Sequence, residues 1–507
     1  MNAAQPDRIA TGSLFAVLLF SFAYFYGGSG FNQNATFDLT RAIVEHRELH
    51  IDRYAANTAD ISRYGGHIYS NKVPGLSFLA VIPYAPLYAL RGAPENALEL
   101  NLYLYVTSIV TAGISGALIG VLLYKAARHR GLSPDAAYAI ALVVALGTPI
   151  FAYSTMLFPH VPASLFALLA FLALDGTLRR NALLAGAAVG AAVLMHYLCA
   201  LLVFVMLGFL LATSRARIRE TLRYIAGGMP FAAVLGWYQY AVFGSPFQTT
   251  IPTVNPGFLS EDAWFGIFYL PRAEALWGLT FSPYRGLFYL APVMLLAVIG
   301  LVAMFRKERA AAMTIVAGAL LFFIINSAFN GWHGSYTIGP RYSLPAVPLL
   351  AIGLVYIHGR FRLVYAVLAA ISLFFNFAVT AVDPQVPDKF HDPVTKYVIP
   401  ALLTGRAAND PTVPPWLGEL YTGHTSTNRV AADELMPFQR HRPGSPESEW
   451  ASFNLGELLF GPGSFASILP YLAIVAAAVL TTRASLRRRY RATHTTPDTQ
   501  TERSRSA

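Results

Sequence analysis

Long apolar runs separated by short polar segments dominate this sequence. Runs long enough to cross the hydrocarbon core of a bilayer recur along most of the chain. Approximate crossings are predicted at 12–31, 100–124, 135–157, 161–178, 181–197, 199–213, 223–243, 285–305, 311–328, 341–358, 363–381 and 465–482. The pattern therefore predicts an all-α polytopic membrane protein with about twelve transmembrane helices.

One polar segment, residues 32–75, stands out between two strongly apolar ones, and we call it the first polar loop. Acidic and basic residues are balanced within it, although only 13% of the whole chain is charged. They are Asp38, Glu45, Glu48, Asp52, Asp60, Arg41, Arg47, Arg53, Arg63 and Lys72. Because this is where ionisable groups concentrate, we expect the chemistry of the protein to lie in this loop.

Composition supports a membrane protein and excludes other classes. Hydrophobic residues make up 55% of the 507 residues, and the mean hydropathy is +0.47. The single cysteine, Cys199, excludes an intramolecular disulfide and a CxxC metal site. A net charge of +10 would suit nucleic acid, but the basic residues cluster directly after apolar runs. Clusters in that position are topology signals, so no nucleic-acid partner is expected.

The basic clusters also predict the topology. No small-residue cleavage site follows the first run, so we expect an uncleaved anchor with a cytoplasmic N-terminus. Lys125, Arg128 and Arg130 stay cytoplasmic only if one of the preceding apolar runs does not cross. The 73–90 run is short and holds three prolines, so we expect a helix lying in the outer interface. The first polar loop then faces the extracytoplasmic side of the plasma (inner) membrane.

Three parts follow from this topology. Residues 1–382 form a transmembrane catalytic module that includes the 32–75 loop. Residues 383–464 form an extracytoplasmic loop or small cap, rich in proline. Residues 465–507 hold the last transmembrane helix and a basic cytoplasmic tail, which is expected to be disordered.

Asp38 is the first candidate for catalysis. Apolar and charged positions alternate from Phe37 to Glu45 as in an amphipathic helix on the membrane surface, capped by Asn32, Asn34 or Thr36. Asp38 would then occupy the first turn of this helix at headgroup depth. Its carboxylate either acts as a base or only stabilises the helix by interacting with the positive end of the helix dipole. Asp60, further along the loop, is a rival for the role of base.

The end of the first polar loop predicts a phosphate site. Lys72 precedes a Pro-Gly pair that leads into an apolar helix, at the depth of a lipid phosphate. An interfacial lysine also commonly extends to anionic headgroups without binding a specific ligand. The neighbouring Tyr69 and Asn71 favour a ligand site over that alternative.

Other candidates lie at the predicted outer ends of later helices. His160 is placed between two prolines, where it is a general base, a metal ligand or a packing residue. Outward-facing arginines are disfavoured by the positive-inside rule, so Arg285 and Arg341 are candidates for phosphate binding. His333 and Tyr342 share the loop of Arg341.

These motifs, in this order, resemble the GT-C superfamily of polytopic glycosyltransferases. Residues 69–74, Tyr-Ser-Asn-Lys-Val-Pro, resemble the Tyr-x-Glu-Lys-Pro-Pro segment of lipid A 4-amino-arabinose transferases and protein O-mannosyltransferases. Residues 341–348 match the Arg-Tyr-x-Leu-Pro-x-x-Pro element of those enzymes. The chain departs at three acidic positions, where it has Asn32-Gln33-Asn34, Asn71 and His160.

The resemblance implies transfer of a sugar from a polyprenyl-phosphate donor to a glycan, lipid or protein acceptor at the outer face. Asp38 or Asp60 would serve as base, and Lys72 with Arg285 or Arg341 would neutralise the leaving phosphate. A divalent metal is possible, and no other cofactor is expected. Two alternatives stay open, a lipid-linked saccharide polymerase or ligase and a transporter or flippase. The first usually places its key loop late in the chain, and the second predicts internal duplication.

Overall fold

The fold comes from a computed structural model, which describes residues 5–386, 390–404, 452–461 and 465–494. Helices dominate it, as the apolar pattern predicts. They are α1 Gln5–Tyr24, α2 Phe31–Arg41, α3 Gly75–Arg91, α4 Ala97–Ser108, α5 Ile114–His129, α6 Pro134–Leu146, α7 Ile150–Tyr153, α8 His160–Asp175, α9 Ala182–Met195, α10 Ala200–Thr213, α11 Arg217–Phe243, α12 Ala273–Thr280, α13 Leu287–Leu290, α14 Val293–Lys307, α15 Arg309–Ala328, α16 Ala346–Ala351, α17 Arg362–Val382, α18 Ile399–Thr404, α19 Glu457–Phe460 and α20 Leu469–His494.

Each predicted crossing overlaps at least one of these helices. Within the described residues, five helical stretches are long and apolar enough to cross a membrane by length and composition alone. They are Asp7–Tyr24, Leu98–His129, Arg309–Ala328, Arg362–Val382 and Phe465–Tyr490. Several shorter apolar helices accompany them, including α3, α8 and α9. The described part of the chain is thus a bundle of apolar helices with a few short strands.

Several predicted boundaries are wrong. Helix α2 begins at Phe31 after Gly30, which offers no side-chain cap, so Asp38 lies about two turns inside the helix rather than in its first turn. A π-helical segment, Ala42–His46, continues it. The last helix continues beyond the predicted 465–482 crossing, to His494.

A buried ion-pair network lies at one end of the bundle. Arg130 contacts Asp175 at 2.7 Å and Glu308 at 3.0 Å, and it donates to the Tyr356 hydroxyl at 3.0 Å. The Arg130 and Asp175 side chains are 4% and 2% exposed. The network joins the ends of four helical segments. Removing one partner would be destabilising, because it would leave a buried charge without compensation.

Three more ion pairs lie among the basic clusters. Arg128 pairs with Asp7 at 2.7 Å, which joins α5 to α1. Arg483 and Arg487 both contact Asp135, at 2.6 and 2.9 Å, which joins α20 to α6. These pairs and the Arg130 network bring the start of α1, the basic clusters that follow α5, α8 and α14, and the basic part of α20 to one end of the bundle. The positive-inside argument predicts such a common end.

Small residues let α9 and α11 pack at backbone distance. A β-carbon added to Gly186 would stand 1.8 Å from the Tyr224 carbonyl oxygen, and one added to Gly227 would stand 2.1 Å from that of Leu183. Such small-residue contacts are typical of helices packed in membranes.

The first polar loop contains a β-hairpin that the sequence pattern did not reveal. Strands β2 (Ile61–Tyr64) and β3 (His67–Ser70) pair antiparallel, with Ile61 opposite Ser70. Gly65 and Gly66, at φ of 57° and 86°, form the two-residue turn, which needs glycine because both φ angles are positive. The hairpin packs against the end of α11 through a small apolar cluster: Leu39, Ile51, Ile61, Tyr69, Tyr238, Val242 and Phe243.

Parts of the predicted 383–464 segment pack on the bundle. Strand β4 (Phe453–Asn454) pairs antiparallel with β1 (Phe25–Tyr26), directly after the first helix. Asn454 donates to the Ser467 hydroxyl at 3.0 Å. Most of the predicted cap, residues 405–451, lies outside the described residues, as does the tail after residue 494.

Candidate active site

The open end of the hairpin brings a carboxylate against an ammonium group. Asp60 precedes β2 and Lys72 follows β3, and their Oδ2 and Nζ atoms lie 2.8 Å apart. The Asn71 backbone N–H donates to the Asp60 carbonyl at 3.1 Å, and the Asn71 side-chain amide donates to Oδ1 at 3.4 Å. Both side chains are mostly but not fully covered, at 15% and 19% exposure. The ion pair is therefore held by the hairpin and still reaches the surface.

Helix α3 begins at Gly75, three residues after Lys72, against the end of α9. A β-carbon on Gly75 would stand 2.2 Å from the carbonyl oxygen of Leu194. This close approach requires glycine and brings the Lys72 segment towards His196, which follows α9. Thr250 also contacts the segment, donating its hydroxyl proton to the Asn71 carbonyl at 3.1 Å.

Two buried histidines lie beside this ion pair. The rings of His160 and His196 are 4.9 Å apart, and the Tyr342 ring lies 5.8 and 6.1 Å from them. His160 also interacts electrostatically with Lys72 and Arg341. Among the described residues, neither ring nitrogen of His160 has a hydrogen-bond partner, nor does Nδ1 of His196. Unsatisfied buried nitrogens of this kind are costly, so they favour a bound polar ligand or water.

Arg341 completes the cluster. Its Nη2 donates to the Tyr342 hydroxyl at 2.5 Å, and its guanidinium lies 4.6 Å from the centre of that ring. It also interacts electrostatically with Asp60. Its Nε is buried and has no hydrogen-bond partner within the described residues. A guanidinium with an unused donor is suited to binding a phosphate oxygen.

Arg285 has a different environment from Arg341. It is 0% exposed, and each of its nitrogens donates to a backbone carbonyl: His333 at 3.2 Å, Tyr284 at 3.0 Å and Ser335 at 3.1 Å. The guanidinium also stacks over the Tyr284 ring at 4.0 Å. Arg285 thus anchors the 333–335 loop.

Asp38 is buried in α2 at 1% exposure. The Asn57 side chain donates to its Oδ1 at 3.3 Å, and Asn34 holds the same turn through the Asn57 carbonyl at 2.9 Å. The structure therefore places Asp38 against the turn that precedes Asp60, whereas Asp60 itself contacts Lys72.

The other predicted residues have identifiable partners. Tyr69 packs against Phe243, with ring centres 6.2 Å apart, and so belongs to the apolar contact between hairpin and α11. The His333 ring accepts a hydrogen bond from the Ser335 backbone N–H at 3.1 Å. Asn71, as described above, binds Asp60.

A network around Glu45 fixes the first polar loop to α3. Glu45 accepts from Arg41 at 2.8 Å, from Tyr84 at 2.5 Å and from Tyr54 at 3.0 Å. Burial alone would raise the pKa of Glu45, but the bonds from Arg41, Tyr84 and Tyr54 lower it below its ordinary value. Since Tyr84 belongs to α3, the ionised carboxylate joins α2, the Tyr54 turn and α3.

The surroundings of Asp60 do not fit a divalent metal. Its two carboxylate oxygens already contact the Lys72 ammonium and the Asn71 amide. Hard divalent cations need several oxygen ligands, and an ammonium group beside them would oppose binding. Asp60 and its neighbours are therefore unsuited to holding a catalytic metal.

Two of the contributing residues were missed by the sequence patterns. His196 lies at the junction of two short apolar runs. An ionisable residue in that position could have marked it as a candidate site residue. Glu45 was noted only as part of an amphipathic pattern, since its partners Tyr54 and Tyr84 are distant in sequence.

Residues 105–238 match the family model of dolichyl-phosphate-mannose-protein mannosyltransferases. This confirms the resemblance to the GT-C superfamily. The matched segment runs from α4 to α11 and includes both His160 and His196.

Two solved structures resemble part of this fold. One is ArnT from Cupriavidus metallidurans bound to undecaprenyl phosphate, at 16% identity and a TM-score of 0.41, covering 75% of this chain and 64% of that one. Another is the Archaeoglobus fulgidus oligosaccharyltransferase, at 13% identity and a TM-score of 0.47, covering 76% of this chain and 55% of that one. This chain thus spans less than two thirds of either protein. No curated protein matches the chain.

Proposed function

We propose that this GT-C-type protein transfers a sugar from a polyprenyl-phosphate-linked donor to a glycan, lipid or protein acceptor at the outer face of the membrane. The observation that carries the proposal is the Asp60–Lys72 ion pair beside Arg341. It combines a carboxylate that can accept a proton with two cationic groups that can bind a phosphate. Transfer from a lipid phosphate requires both.

Lys72 and Arg341 would hold the donor phosphate. When the phosphate binds, it competes with Asp60 for the Lys72 ammonium, while the unused Nε–H of Arg341 donates to a phosphate oxygen. Negative charge grows on that oxygen as the sugar leaves, so these cations stabilise the transition state more than the ground state. Arg285 would act indirectly, by holding the 333–335 loop.

Asp60 would act as the general base. The acceptor hydroxyl oxygen attacks the anomeric carbon, its proton passes to the Asp60 carboxylate, and the bond to the phosphate oxygen breaks with its electron pair. Polyprenyl phosphate is the leaving group. Asp38, ranked first from the sequence, stays as the rival base, since its burial at 1% exposure leaves it less accessible to an acceptor.

His160 and His196 would bind the sugar or acceptor. Their rings lie close together and beside Tyr342, and hydroxyl groups of a ligand would satisfy their unpartnered nitrogens. His160 therefore serves here in hydrogen bonding and replaces the acidic group at the corresponding GT-C position.

The proposed arrangement in the membrane follows the basic clusters. Twelve crossings with both chain ends cytoplasmic place the Arg130–Asp175 network inside and the Asp60–Lys72 pair outside. Helix α3 lies in the outer interface and α2 along it, and residues 1–382 form the catalytic module in the plasma (inner) membrane. Residues 383–464 extend the outer face, and residues 465–507 return to the cytoplasm.

The proposal is tested by transfer in proteoliposomes that contain the purified chain and an extracted acceptor fraction. A panel of radiolabelled polyprenyl-phosphate sugars is compared with the same sugars as nucleotide conjugates. We expect label to transfer from at least one lipid-linked sugar, and D60N protein to transfer none. Transfer from the nucleotide sugars alone would overturn the proposed donor class, and transfer by D60N protein equal to that of the parent would overturn Asp60 as the base.

A further inference from the structure

The tip of the hairpin gathers two imidazoles around one carboxylate, away from the Asp60–Lys72 pair. Nδ1 of His67 lies 2.7 Å and Nδ1 of His50 lies 3.1 Å from Oδ2 of Asp52. The two imidazole rings stack at 4.4 Å with an angle of 22° between them. One donor atom from each residue lies within 4.8 Å of the others. Within the described ranges, this is the one group of three such side chains that could share an ion.

The carboxylate is fixed in place by the backbone. Oδ1 of Asp52 accepts a hydrogen bond from the Ile68 N–H at 2.6 Å, and the Ile51 N–H donates to the Ile68 carbonyl at 2.7 Å. These bonds tie the Ile51–Asp52 segment to strand β3. They leave Oδ2 pointing between the two rings. The position of Asp52 beside His67 is therefore fixed by bonds to strand β3 as well as by the contacts among the three side chains.

The ligand chemistry selects the kind of ion. Two imidazole nitrogens and one carboxylate oxygen form a set that Zn²⁺ and similar borderline divalent ions prefer, whereas Mg²⁺ and Ca²⁺ prefer oxygen ligands. With metal–ligand bonds of about 2.0–2.1 Å, tetrahedral ligand atoms stand about 3.3 Å apart. The observed 2.7 and 3.1 Å separations reach that value by small side-chain rotations. Glu48 lies nearby, with Oε2 3.8 Å from Nε2 of His50.

We propose that His50, Asp52 and His67 bind a Zn²⁺-class divalent cation that joins the Glu48–Asp52 segment to the hairpin. His67 begins β3 and Ser70 ends it, so about 10 Å of strand separates this site from the ion pair at the open end of the hairpin. The cation takes no part in transfer chemistry. It stabilises the loop that positions Asp60 and Lys72, because it binds the folded loop and not the unfolded one.

The test uses the full chain in detergent, purified through an affinity tag without histidine and stripped of metal with EDTA. Co²⁺ serves as the spectroscopic probe and Zn²⁺ as the competitor. We expect one Co²⁺ per chain, with the visible absorption bands of a tetrahedral site, displaced by Zn²⁺. Zn²⁺ should also raise the melting temperature.

Three variants define the site. The H50A/H67A double variant should lose the Co²⁺ bands, and D52N should weaken Co²⁺ binding by more than about tenfold while its amide oxygen still accepts the Ile68 hydrogen bond. H46A is the matched control, because the His46 ring stacks on Tyr54 at 6.3 Å outside the cluster. It should bind Co²⁺ as the parent protein does.

Two results would overturn the proposal. One is a parent chain that takes up no Co²⁺ at micromolar concentration, which would leave the cluster as a hydrogen-bonded network. The other is parent-like Co²⁺ binding by D52N and the double variant, which would place the ion elsewhere. The melting temperature in EDTA checks that each variant is folded, and D52N keeps the test valid if the double variant is not.

Discussion

Nζ of Lys72 lies 2.8 Å from Oδ2 of Asp60, although twelve positions separate the two residues in the chain. The β2–β3 hairpin brings them together, because the chain reverses direction at the Gly65-Gly66 turn and the residue after β3 lies beside the residue before β2. While no phosphate is bound, the Asp60 carboxylate balances the charge of the Lys72 ammonium. The proposed base and one of the proposed phosphate-binding groups therefore lie side by side.

Replacing Lys72 should weaken donor binding. In Lys72→Ala protein, the KM for the lipid-linked donor should rise by about 10–100-fold, because a charge-assisted hydrogen bond to the phosphate is lost. The measurement is the initial rate of transfer against donor concentration. Lys307→Ala, at the other end of the bundle, is the control. An unchanged KM and kcat in Lys72→Ala would remove this lysine from the site.

Replacing Asp60 should stop transfer while donor binding remains. A missing general base costs about 10²–10⁴ in rate, so we expect Asp60→Asn to lower kcat by that factor. Asp38→Asn is the comparison, and its kcat should stay within about tenfold of the parent value. The opposite ranking would assign the base to Asp38, as the sequence pattern favoured.

Arg341 and Arg285 should separate into binding and structural roles. Arg341→Lys should lower turnover by about 10²-fold with little change in melting temperature, because the planar fork that reaches the phosphate is lost. Arg285→Lys should lower the free energy of unfolding by about 3 kcal/mol, since it leaves carbonyls of the 333–335 loop unpaired. Activity and thermal unfolding are measured on both proteins. A stable, inactive Arg285→Lys protein would contradict this assignment.

Glu45 should make stability depend on pH in a defined direction. Its pKa is lowered in the folded protein, so its contribution is fully present above its ordinary value of 4.5 and is lost as the pH falls through the lowered pKa. We expect Glu45→Gln to cost about 1–3 kcal/mol at pH 7. Melting temperatures of the two proteins should converge below pH 4.5. Glu261→Gln, in an exposed loop, should show no such difference at any pH.

Labelling tests the topology of the 73–90 segment. In a Cys199→Ala background, a cysteine at Ala93 should react with an impermeant maleimide added from outside the cell, because α3 is proposed not to cross. A cysteine at His129 is the cytoplasmic control. Reaction of the Ala93 cysteine from the cytoplasmic side alone would show that α3 crosses, and the proposed side of His160 would be wrong.

Helix positions were predictable because each apolar run is bounded by polar or basic residues. Irregularities within a run were not predictable. The run from 100 to 124 contains part of α4, a π-helical segment at Ile109–Gly113 and part of α5. Helix ends also differed, as at α2, because Gly30 starts that helix without the side-chain cap that the pattern suggested.

The individual residues of the candidate site were predictable from the sequence, but the contacts between them were not. Lys72, Asp60, His160 and Arg341 were each selected by residue type at a helix or loop end. Their pairing was not visible, because the polar hairpin shows too little alternation to predict two strands. The different environments of Arg285 and Arg341 are likewise set by backbone carbonyls, which a sequence does not display.

Helix α8 carries the Asp175 ion pair at one end and His160 at the other, and its 16 residues rise only about 24 Å. The hydrocarbon core of a bilayer is about 30 Å thick. If Asp175 lies at the cytoplasmic edge of that core, His160 stands about 6 Å below the opposite edge. The proposed polyprenyl-phosphate donor, entering sideways from the lipid, would then have to place its headgroup below those of neighbouring lipids, so local thinning of the bilayer would become part of substrate access.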